Sequence, residues 1–480
     1  ASYLYDSLRN KILPLSDELI VFPSHGAGSA CGKNMSKETT DKLGNQKRFN
    51  YALQAKSKEQ FVKEVLTGLV TPPQYFPKNA VMNKMGYANV DEVIAKGTQA
   101  LSPAAFEAAS NEENALVLDV RAAKDFAKGF TCEMYDPSDW ANIFENAGAK
   151  YVVLTSKHHE GYTLWPSAQA WNWNAVDLNP HRDIAGDLTK AVKGKGLRMG
   201  FYYSLYEWFN PLYKKDVDTY VTAHMIPQMK DLVTRYTPDI LWTDGEWDHP
   251  SEKWKSTEFL AWLYNDSPSK AEVVVNDRWG KETRSKHGGI YTTEYDLVHD
   301  ANSSSMEIAH PWEECRGIGS SFGYNRNENL EDYSSSKQLI DILIDKVARG
   351  GNLLLNVGPT ADGRIPVIMQ QRLADMGKWL KINGEAIYGT RKWEKSPKVT
   401  PETKVFFTKK NKDLYVLLTQ WKNTPVTIEG ISGGTVSMLG YNGAIKVQKK
   451  GNALTITPPV LTPDVNPSEY AWVFKISGAL

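Results

Sequence analysis

The sequence predicts an α/β protein with a (β/α)8-like barrel, incomplete at its first strand, followed by a C-terminal antiparallel β-sandwich. Three observations lead to this prediction. From about residue 130, strand-like and helix-like segments alternate, as in parallel strands joined by crossover helices. About six or seven barrel strands can be identified, whereas a closed barrel needs eight. Beyond about residue 390, helical periodicity ends and short strands are separated by Asn, Gly and Lys turns.

The individual elements follow from the spacing of their apolar residues. Before residue 130 there are a strand-like run, a helix-like stretch and a buried-strand pattern, at 18–23, 57–69 and 115–121. Apolar residues three or four apart predict helices over 139–147, 186–195, 220–236, 252–265, 335–349 and 370–382. Short apolar or β-branched runs predict strands over 151–155, 197–204, 240–243, 272–276, 289–293, 352–357, 405–407, 413–419, 426–428 and 453–456. We therefore expect three parts: a front segment 1–129, a catalytic domain 130–390 and a sandwich 391–480.

The charge balance and the cysteines exclude several classes of protein. Lys plus Arg and Asp plus Glu both number 56, and this zero net charge argues against a nucleic-acid or anionic-membrane partner. No run of 18 apolar residues predicts a transmembrane helix. The first 13 residues do not have the pattern of a signal peptide. The cysteines, Cys31, Cys132 and Cys315, have neither metal-ligand spacing nor the number needed for a disulfide framework.

Two carboxylates at predicted strand ends carry the functional hypothesis. Asp244 ends the run Ile-Leu-Trp-Thr-Asp, and Glu294 ends Ile-Tyr-Thr-Thr-Glu. Barrel enzymes place their chemistry at the carboxyl ends of strands, and two carboxylates amid Trp, Tyr and His suggest a sugar-cleaving pair. The alternatives are a plain turn at Asp244 and an exposed charge at Glu294. His158 and His159 follow another predicted strand and suit hydrogen bonds to sugar hydroxyls better than a metal site, which would need more ligands nearby.

These residues lie in a series of motifs that resembles the α-L-fucosidases of glycoside hydrolase family 29. The Lys-His-His-Glu-Gly-Tyr motif comes first, and the others follow in the family's order, covering about residues 130–480. They lie at 157–165, 182–188, 200–204, 241–245, 275–280, 293–295, 312–319, 322–325 and 352–359. The resemblance implies a retaining exo-α-L-fucosidase that forms a covalent glycosyl-enzyme on a fucosylated oligosaccharide or glycoconjugate. It implies no cofactor and no metal, and it favours a periplasmic, secreted or lysosomal location.

The resemblance also implies a role for each residue that matches a family motif. Asp244 matches the nucleophile and Glu294 the general acid/base. Glu313 is a pocket candidate and the next choice for the acid/base, and Glu246 is a competing carboxylate. Trp242 and Trp247 would lower the local dielectric around Asp244, and Arg278 would hold a carboxylate ionised. The residues that match the lining of the fucose pocket are His158, His159, Tyr202, Trp242 and Arg278.

The front of the chain departs from the family pattern. The His-Trp-Gly and Glu-Trp-Tyr motifs of the family's first barrel unit are missing. Residues 21–32 resemble instead a metal-ligand region of metallo-β-lactamase-fold persulfide dioxygenases, and residues 116–129 resemble the start of a rhodanese domain. His25 alone cannot hold a metal, and the rhodanese active-site loop is missing. Our hypothesis is that two partial sequences are joined near Gly129–Phe130. For the function, the alternatives to an α-L-fucosidase impaired by the missing unit are a catalytically weak fucoside-binding protein and a sulfur-metabolism protein.

Overall fold

The computed structural model describes residues 2–22, 39–67, 84, 127–294, 310–394, 398–400, 404–431 and 433–480. It divides into two compact units, residues Ala1–Leu118 and Asp119–Leu480. Within these described ranges no helix is both long enough and apolar enough to cross a lipid bilayer.

The described residues of the first unit form short helices and a two-stranded antiparallel ribbon. Phe61 is fully buried and meets the edge of the Tyr5 ring at 5.5 Å between centroids. The predicted helix 57–69 is present but shorter, and the Ser57 hydroxyl caps it by accepting from the Gln60 amide. The predicted strand 18–23 is reduced to a two-residue ribbon strand, while loop 24–32 and strand 115–121 lie outside the described residues. The elements are α1 (Ser2–Ser7, continuing as a π-helical turn over Leu8–Ile12), β1 (Ile20–Val21), β2 (Asp41–Lys42), α2 (Leu43–Phe49), α3 (Tyr51–Gln54) and α4 (Lys58–Leu66).

The second unit begins with parallel strands in a four-stranded and a three-stranded sheet. An isolated bridge between Asn276 and Ile290 links the two sheets. Alternate residues of the second strand in this series, Met199, Phe201 and Tyr203, are completely buried. The strands follow one another in chain order: β3 (Tyr151–Lys157), β4 (Arg198–Ser204), β5 (Ile240–Asp244) and β6 (Val274–Val275), then β7 (Tyr291–Glu294), β8 (Trp312–Gly317) and β9 (Asn352–Asn356).

Helices connect these strands, as the alternating pattern predicts. Local side chains fix where the helices start: Asp183 accepts from the Gly186 amide, and Ser335 forms a capping box with Gln338. The predicted helix 220–236 instead begins with a π-helical turn over Tyr220–Met225. The helices are α5 (Pro137–Asn146), α6 (Ile184–Gly194), α7 (Pro211–Lys215), α8 (Val217–Thr219), α9 (Ile226–Tyr236), α10 (Ser256–Asn265), α11 (Ser336–Ala348) and α12 (Val367–Asn383), with 3-10 turns over Ala168–Ala170, Leu330–Asp332 and Gly384–Ala386.

The first and last strands of the parallel series, β3 and β9, border a large cavity. In the described part of the chain, the outer edges of these two strands have no strand partner. The cavity measures about 1960 Å³ and is lined by apolar side chains that include Val152, Leu154 and Leu355. The helix layer nevertheless continues past this point, because α12 packs against α5. Gly377 permits that close approach, since a Cβ there would lie 1.9 Å from the Asn146 carbonyl oxygen.

The C-terminal part consists of two antiparallel sheets, which confirms the prediction of a barrel followed by a β-sandwich. Leu414, Val416, Ile428, Ile456 and Phe474 form part of its core. One sheet has the strand order β10 (Arg391–Lys392), β12 (Val405–Lys410), β13 (Asp413–Leu418), β18 (Trp472–Ser477) and β15 (Thr435–Met438). The other has the order β11 (Val399–Thr400), β14 (Val426–Glu429), β17 (Ala453–Thr457) and β16 (Lys446–Lys450).

Candidate active site

The two predicted carboxylates end two different parallel strands. Asp244 is the last residue of β5, and Glu294 is the last residue of β7. Both therefore lie at the carboxyl end of the barrel, where the loops can assemble a site. Their exposure differs: 12% of the Asp244 side chain is accessible, against 37% of the Glu294 side chain. Asp244 is the more enclosed group, and Glu294 is the one more open to solvent.

Arg278, which follows β6, connects these carboxylates. Its guanidinium is almost completely buried and donates from Nη1 to Asp244 Oδ1 at 2.7 Å and from Nη2 to Glu294 Oε1 at 2.5 Å. Its Nε donates to the Thr292 hydroxyl at 2.9 Å, and the guanidinium lies 4.6 Å from the centre of the Trp242 ring. Since one rigid fork binds both groups, the two carboxylates are held close together at fixed orientations.

The second oxygen of Asp244 also has polar neighbours. The Tyr202 hydroxyl donates to Oδ2 at 2.7 Å, and His159 Nε2 lies 3.9 Å from the same atom. Burial by itself would raise the pKa of Asp244, but the Arg278 charge and the Tyr202 hydrogen bond outweigh it, and the pKa lies below its ordinary value. Asp244 is therefore a buried carboxylate that stays ionised.

The two histidines follow β3 and face this carboxylate. His159 Nδ1 lies 2.6 Å from the Ser204 hydroxyl, which itself donates to the Tyr206 carbonyl. The hydroxyl must therefore accept from Nδ1–H, which leaves Nε2 as an acceptor on the cavity side. Burial, followed by the neighbouring His158, lowers the pKa of His159 to about 4. Burial also lowers the pKa of His158, whose ring stacks on Tyr202 at 5.4 Å. Both rings are thus neutral near pH 7.

The competing carboxylates lie in different environments. Glu313, on β8, is 3% exposed and accepts from Trp242 Nε1 at 3.1 Å and from the Tyr151 hydroxyl. Burial raises the pKa of Glu313 in spite of these hydrogen bonds. Glu246 is 2% exposed, and burial raises its pKa to about 6 although Arg278 opposes the shift. Glu313 therefore holds the Trp242 ring in place and does not line the cavity.

The structure brings the predicted site residues together. Six of them line the cavity, and the remaining two lie directly behind it; the lining residues are His158, His159, Tyr202, Trp242, Asp244 and Glu294, and those behind are Arg278 and Glu313. Sequence reasoning missed the contributions of Tyr151, Ser204 and Thr292. Ser204 ends the motif at 200–204 and Thr292 lies in the run that leads to Glu294, so both had a local signal, whereas Tyr151 only begins a predicted strand. No cluster of three or more His, Cys, Asp or Glu side chains suited to a metal occurs in the part of the chain that the structure describes.

Comparison with known proteins gives the family. Sequence models of the alpha-L-fucosidase family and of the alpha-L-fucosidase C-terminal domain match residues 115–385 and 398–477. The chain is 43% identical over 369 residues to an alpha-L-fucosidase of Branchiostoma floridae, covering 74% of this chain and 81% of that protein. It is 44% identical over 370 residues to the tissue alpha-L-fucosidase of Homo sapiens, covering 74% of this chain and 77% of that protein.

A solved structure agrees with these sequence relatives. The Thermotoga maritima alpha-fucosidase in complex with fucose superposes with a TM-score of 0.62 at 35% identity, covering 80% of this chain and 87% of that one. The family match extends over more than half of the chain, and both sequence relatives exceed 40% identity over about three quarters of it. The chain therefore belongs to the α-L-fucosidase family.

Proposed function

We propose that this chain is a retaining exo-α-L-fucosidase that removes terminal α-L-fucose from oligosaccharides or glycoconjugates. The observation that carries the proposal is the Arg278 fork, which binds Asp244 and Glu294 together at the carboxyl end of the barrel. Two carboxylates bound to one guanidinium are compatible with the separation of about 5–5.5 Å that a retaining pair requires. The Thermotoga maritima relative, solved with fucose, supports fucose as the sugar.

In the first step Asp244 acts as the nucleophile and Glu294 as the general acid. An oxygen of Asp244 forms a bond to the anomeric carbon while the bond from that carbon to the leaving oxygen breaks. Glu294 gives its proton to the leaving oxygen. Arg278 and Tyr202 support this assignment, because both keep Asp244 ionised. The greater exposure of Glu294 supports its role, because the acid must reach an oxygen that departs with the rest of the glycan.

In the second step Glu294 accepts a proton from water, and the water oxygen bonds to the anomeric carbon. The bond to Asp244 breaks, and its carboxylate is restored with retained configuration. Glu313 is the weaker choice for the acid/base, because its burial and its bonds to Tyr151 and Trp242 keep it behind the ring. We assign it to positioning Trp242.

The sugar itself would be bound by the neutral groups that line the cavity. His159 offers an acceptor at Nε2, and His158 and Tyr202 form a stacked pair beside it. Trp242 supplies an apolar face with its indole N–H turned towards Glu313. The hydroxyls of fucose would hydrogen-bond to the histidines and Tyr202, and its methyl group would pack against the Trp242 indole. This binding mode uses no metal and no cofactor.

We further propose that the barrel lacks the family's first β/α unit and that turnover is impaired as a result. The edges of β3 and β9 and the cavity between them support this part of the proposal. That cavity, at about 1960 Å³, exceeds the roughly 300–1,000 Å³ of ordinary ligand pockets. The same observation favours the second candidate function, a catalytically weak fucoside-binding protein. The resemblance of residues 1–129 to metallo-β-lactamase-fold and rhodanese proteins stays a prediction.

The test is hydrolysis of an aryl α-L-fucoside by the purified chain and by Asp244→Asn, Asp244→Gly and Glu294→Gln. Asp341→Asn, on helix α11 in an ion pair with Lys337, is the control. We expect Asp244→Asn to lower kcat by about 10³-fold or more and Asp341→Asn to leave it unchanged. Azide should restore turnover of Asp244→Gly, with β-fucosyl azide as the product. With the parent chain, the first product seen by proton NMR should be α-fucose. A kcat of Asp244→Asn within about tenfold of the parent's kcat would refute the assignment of Asp244 as the nucleophile. Saturable fucose binding without turnover would favour the binding protein.

A further inference from the structure

A buried ion pair lies directly behind the two active-site histidines. Lys157 ends β3 and immediately precedes His158 in the chain. Its ammonium group lies 2.5 Å from Glu207 Oε1, and the two side chains are 0% and 5% exposed. Burying an isolated charge costs several kcal/mol, and a well-packed apolar pair would often be at least as stable in its place. Stability alone is therefore a poor reason for these two residues at this position.

Glu207 collects donors from three separate segments of the barrel. Lys157 comes from the end of β3, Asn210 from the loop after β4, and His224 from the π-helical turn that precedes α9. His224 Nε2 lies 3.0 Å from Oε1, and Asn210 Nδ2 donates to Oε2 at 2.8 Å. Burial would raise the pKa of Glu207, but Lys157 and His224 outweigh it and the pKa falls to about 2. Glu207 is thus a fixed anion that ties the three segments together.

The loop that carries the histidines rests on this anion. The Trp208 amide, next to Glu207, donates to the His159 carbonyl at 2.7 Å. Gly161 has a φ of +81°, and a Cβ there would lie 3.0 Å from Glu207 Oε2. The backbone of the loop is therefore held at its start by Lys157, in its middle by Trp208 and at its end by contact with Glu207. His159 belongs to this loop, and its Nε2 lies 3.9 Å from Asp244 Oδ2.

We propose that Lys157 and Glu207 are positioning residues, whose pairing sets the distance and angle of His159 to the reacting end of Asp244. The inference rests on the proposed fucosidase function and adds to it two residues that are too buried to touch the sugar. It explains why a lysine stands beside the histidines: an apolar residue could fill the space but could not bind the loop after β4.

The test separates positioning from stability. Lys157→Met and Glu207→Gln each leave one buried charge without its partner and should lower Tm. The double variant Lys157→Met/Glu207→Gln carries no unpaired charge and should recover most of the loss in Tm. The control is Lys346→Met, the same substitution at a lysine that is 5% exposed and pairs with Glu314 towards the helix layer. It should lower Tm without changing kcat or KM.

We expect the double variant to keep a raised KM and a kcat about 10- to 100-fold below that of the parent, because a displacement near 1 Å has effects of this size. A crystal structure should show His159 Nε2 moved away from its 3.9 Å distance to Asp244 Oδ2. A double variant with the parent's kcat, KM and His159 position would overturn the proposal. If the parent chain itself does not hydrolyse fucosides, the proposed function fails, and the crystal structure of the double variant still decides the positioning role.

Discussion

Replacing Arg278 by methionine removes the group that joins the two catalytic candidates. The guanidinium makes one charged hydrogen bond to Asp244 and one to Glu294. A hydrogen bond to a charged group contributes roughly 1.5–3 kcal/mol. The bond to Asp244 supports the first step, whereas Glu294 must carry a proton to act as the acid and gains nothing in that role from a neighbouring cation. With about 1.4 kcal/mol for each factor of ten, the loss of the bond to Asp244 in Arg278→Met should lower kcat/KM by about 10- to 100-fold. Arg278→Lys keeps a charge but not the fork, and its loss should be smaller.

The same substitution should change the pH dependence in a defined direction. In the parent, Arg278 and Tyr202 hold the pKa of Asp244 below its ordinary value against the effect of burial. Without Arg278, less opposes the effect of burial, which raises the pKa of Asp244. The acid limb of the kcat/KM profile therefore moves to higher pH. The assay is kcat/KM for an aryl α-L-fucoside from about pH 3 to about pH 8. Arg278→Lys should leave the limb nearer to that of the parent.

Stability provides a second readout of the same pair. A carboxyl with a lowered folded-state pKa stabilises the fold above its unfolded pKa of about 3.9, and this contribution is lost as the pH falls through the folded-state value. Arg278→Met should therefore weaken the fall in stability at acid pH, besides lowering stability near pH 7. An acid limb of kcat/KM that stays in place in Arg278→Met, with normal folding, would refute the view that Arg278 keeps Asp244 ionised.

Three further predictions concern groups around the site. Burial raises the pKa of Glu246 to about 6, so the folded state binds that proton more tightly than the unfolded state does. The free energy of unfolding should therefore fall by about 2 kcal/mol as the pH rises from about 4.5 to above 6. Glu246→Gln should remove this pH dependence in denaturant titrations. Glu313→Ala leaves the Tyr151 hydroxyl and the Trp242 indole N–H without an acceptor and should cost roughly 1–3 kcal/mol for each, with Glu313→Gln milder in thermal melts. Backbone amides of β3 and β9 should exchange with deuterium faster than those of β4 and β5, which have strands on both sides, and equal rates would contradict the open edges.

The site could be predicted where its signal is local. Asp244 and Glu294 each end a short apolar or β-branched run, and that pattern alone puts a carboxylate at a strand end. The contact of both with Arg278 could not be predicted in this way, because it depends on how the ends of β5, β6 and β7 come together. The Lys157–Glu207 pair was missed for the same reason, since 50 residues separate its members.

The fold could be predicted for most elements that apolar periodicity marks, although β18 was missed despite its buried Val473, Phe474 and Ile476. It was also missed where polar residues replace apolar ones. Strand β8 was not predicted, because Glu313, Glu314 and Arg316 break the apolar run. The structure gives these groups polar partners: Glu313 accepts a hydrogen bond from the neutral Trp242 indole, and Glu314 forms ion pairs with Arg316 and Lys346. Strand β16 was missed because all its residues are exposed, so burial imposes no alternation on its sequence.

The two halves of the site rest on strands that are held differently. The group formed by Asp244, Arg278 and Glu294 is carried by β5 to β7, inside the series, where neighbouring strands pair with β5 and β8 pairs with β7. His158 and His159 are carried by β3, whose outer edge has no strand partner in the described part of the chain. A missing first unit should therefore weaken sugar binding more than bond cleavage, raising KM more than it lowers kcat. The Lys157–Glu207 pair acts on this less supported side, where it holds the histidine loop from the segment after β4, while no strand among the described residues pairs with the outer edge of β3.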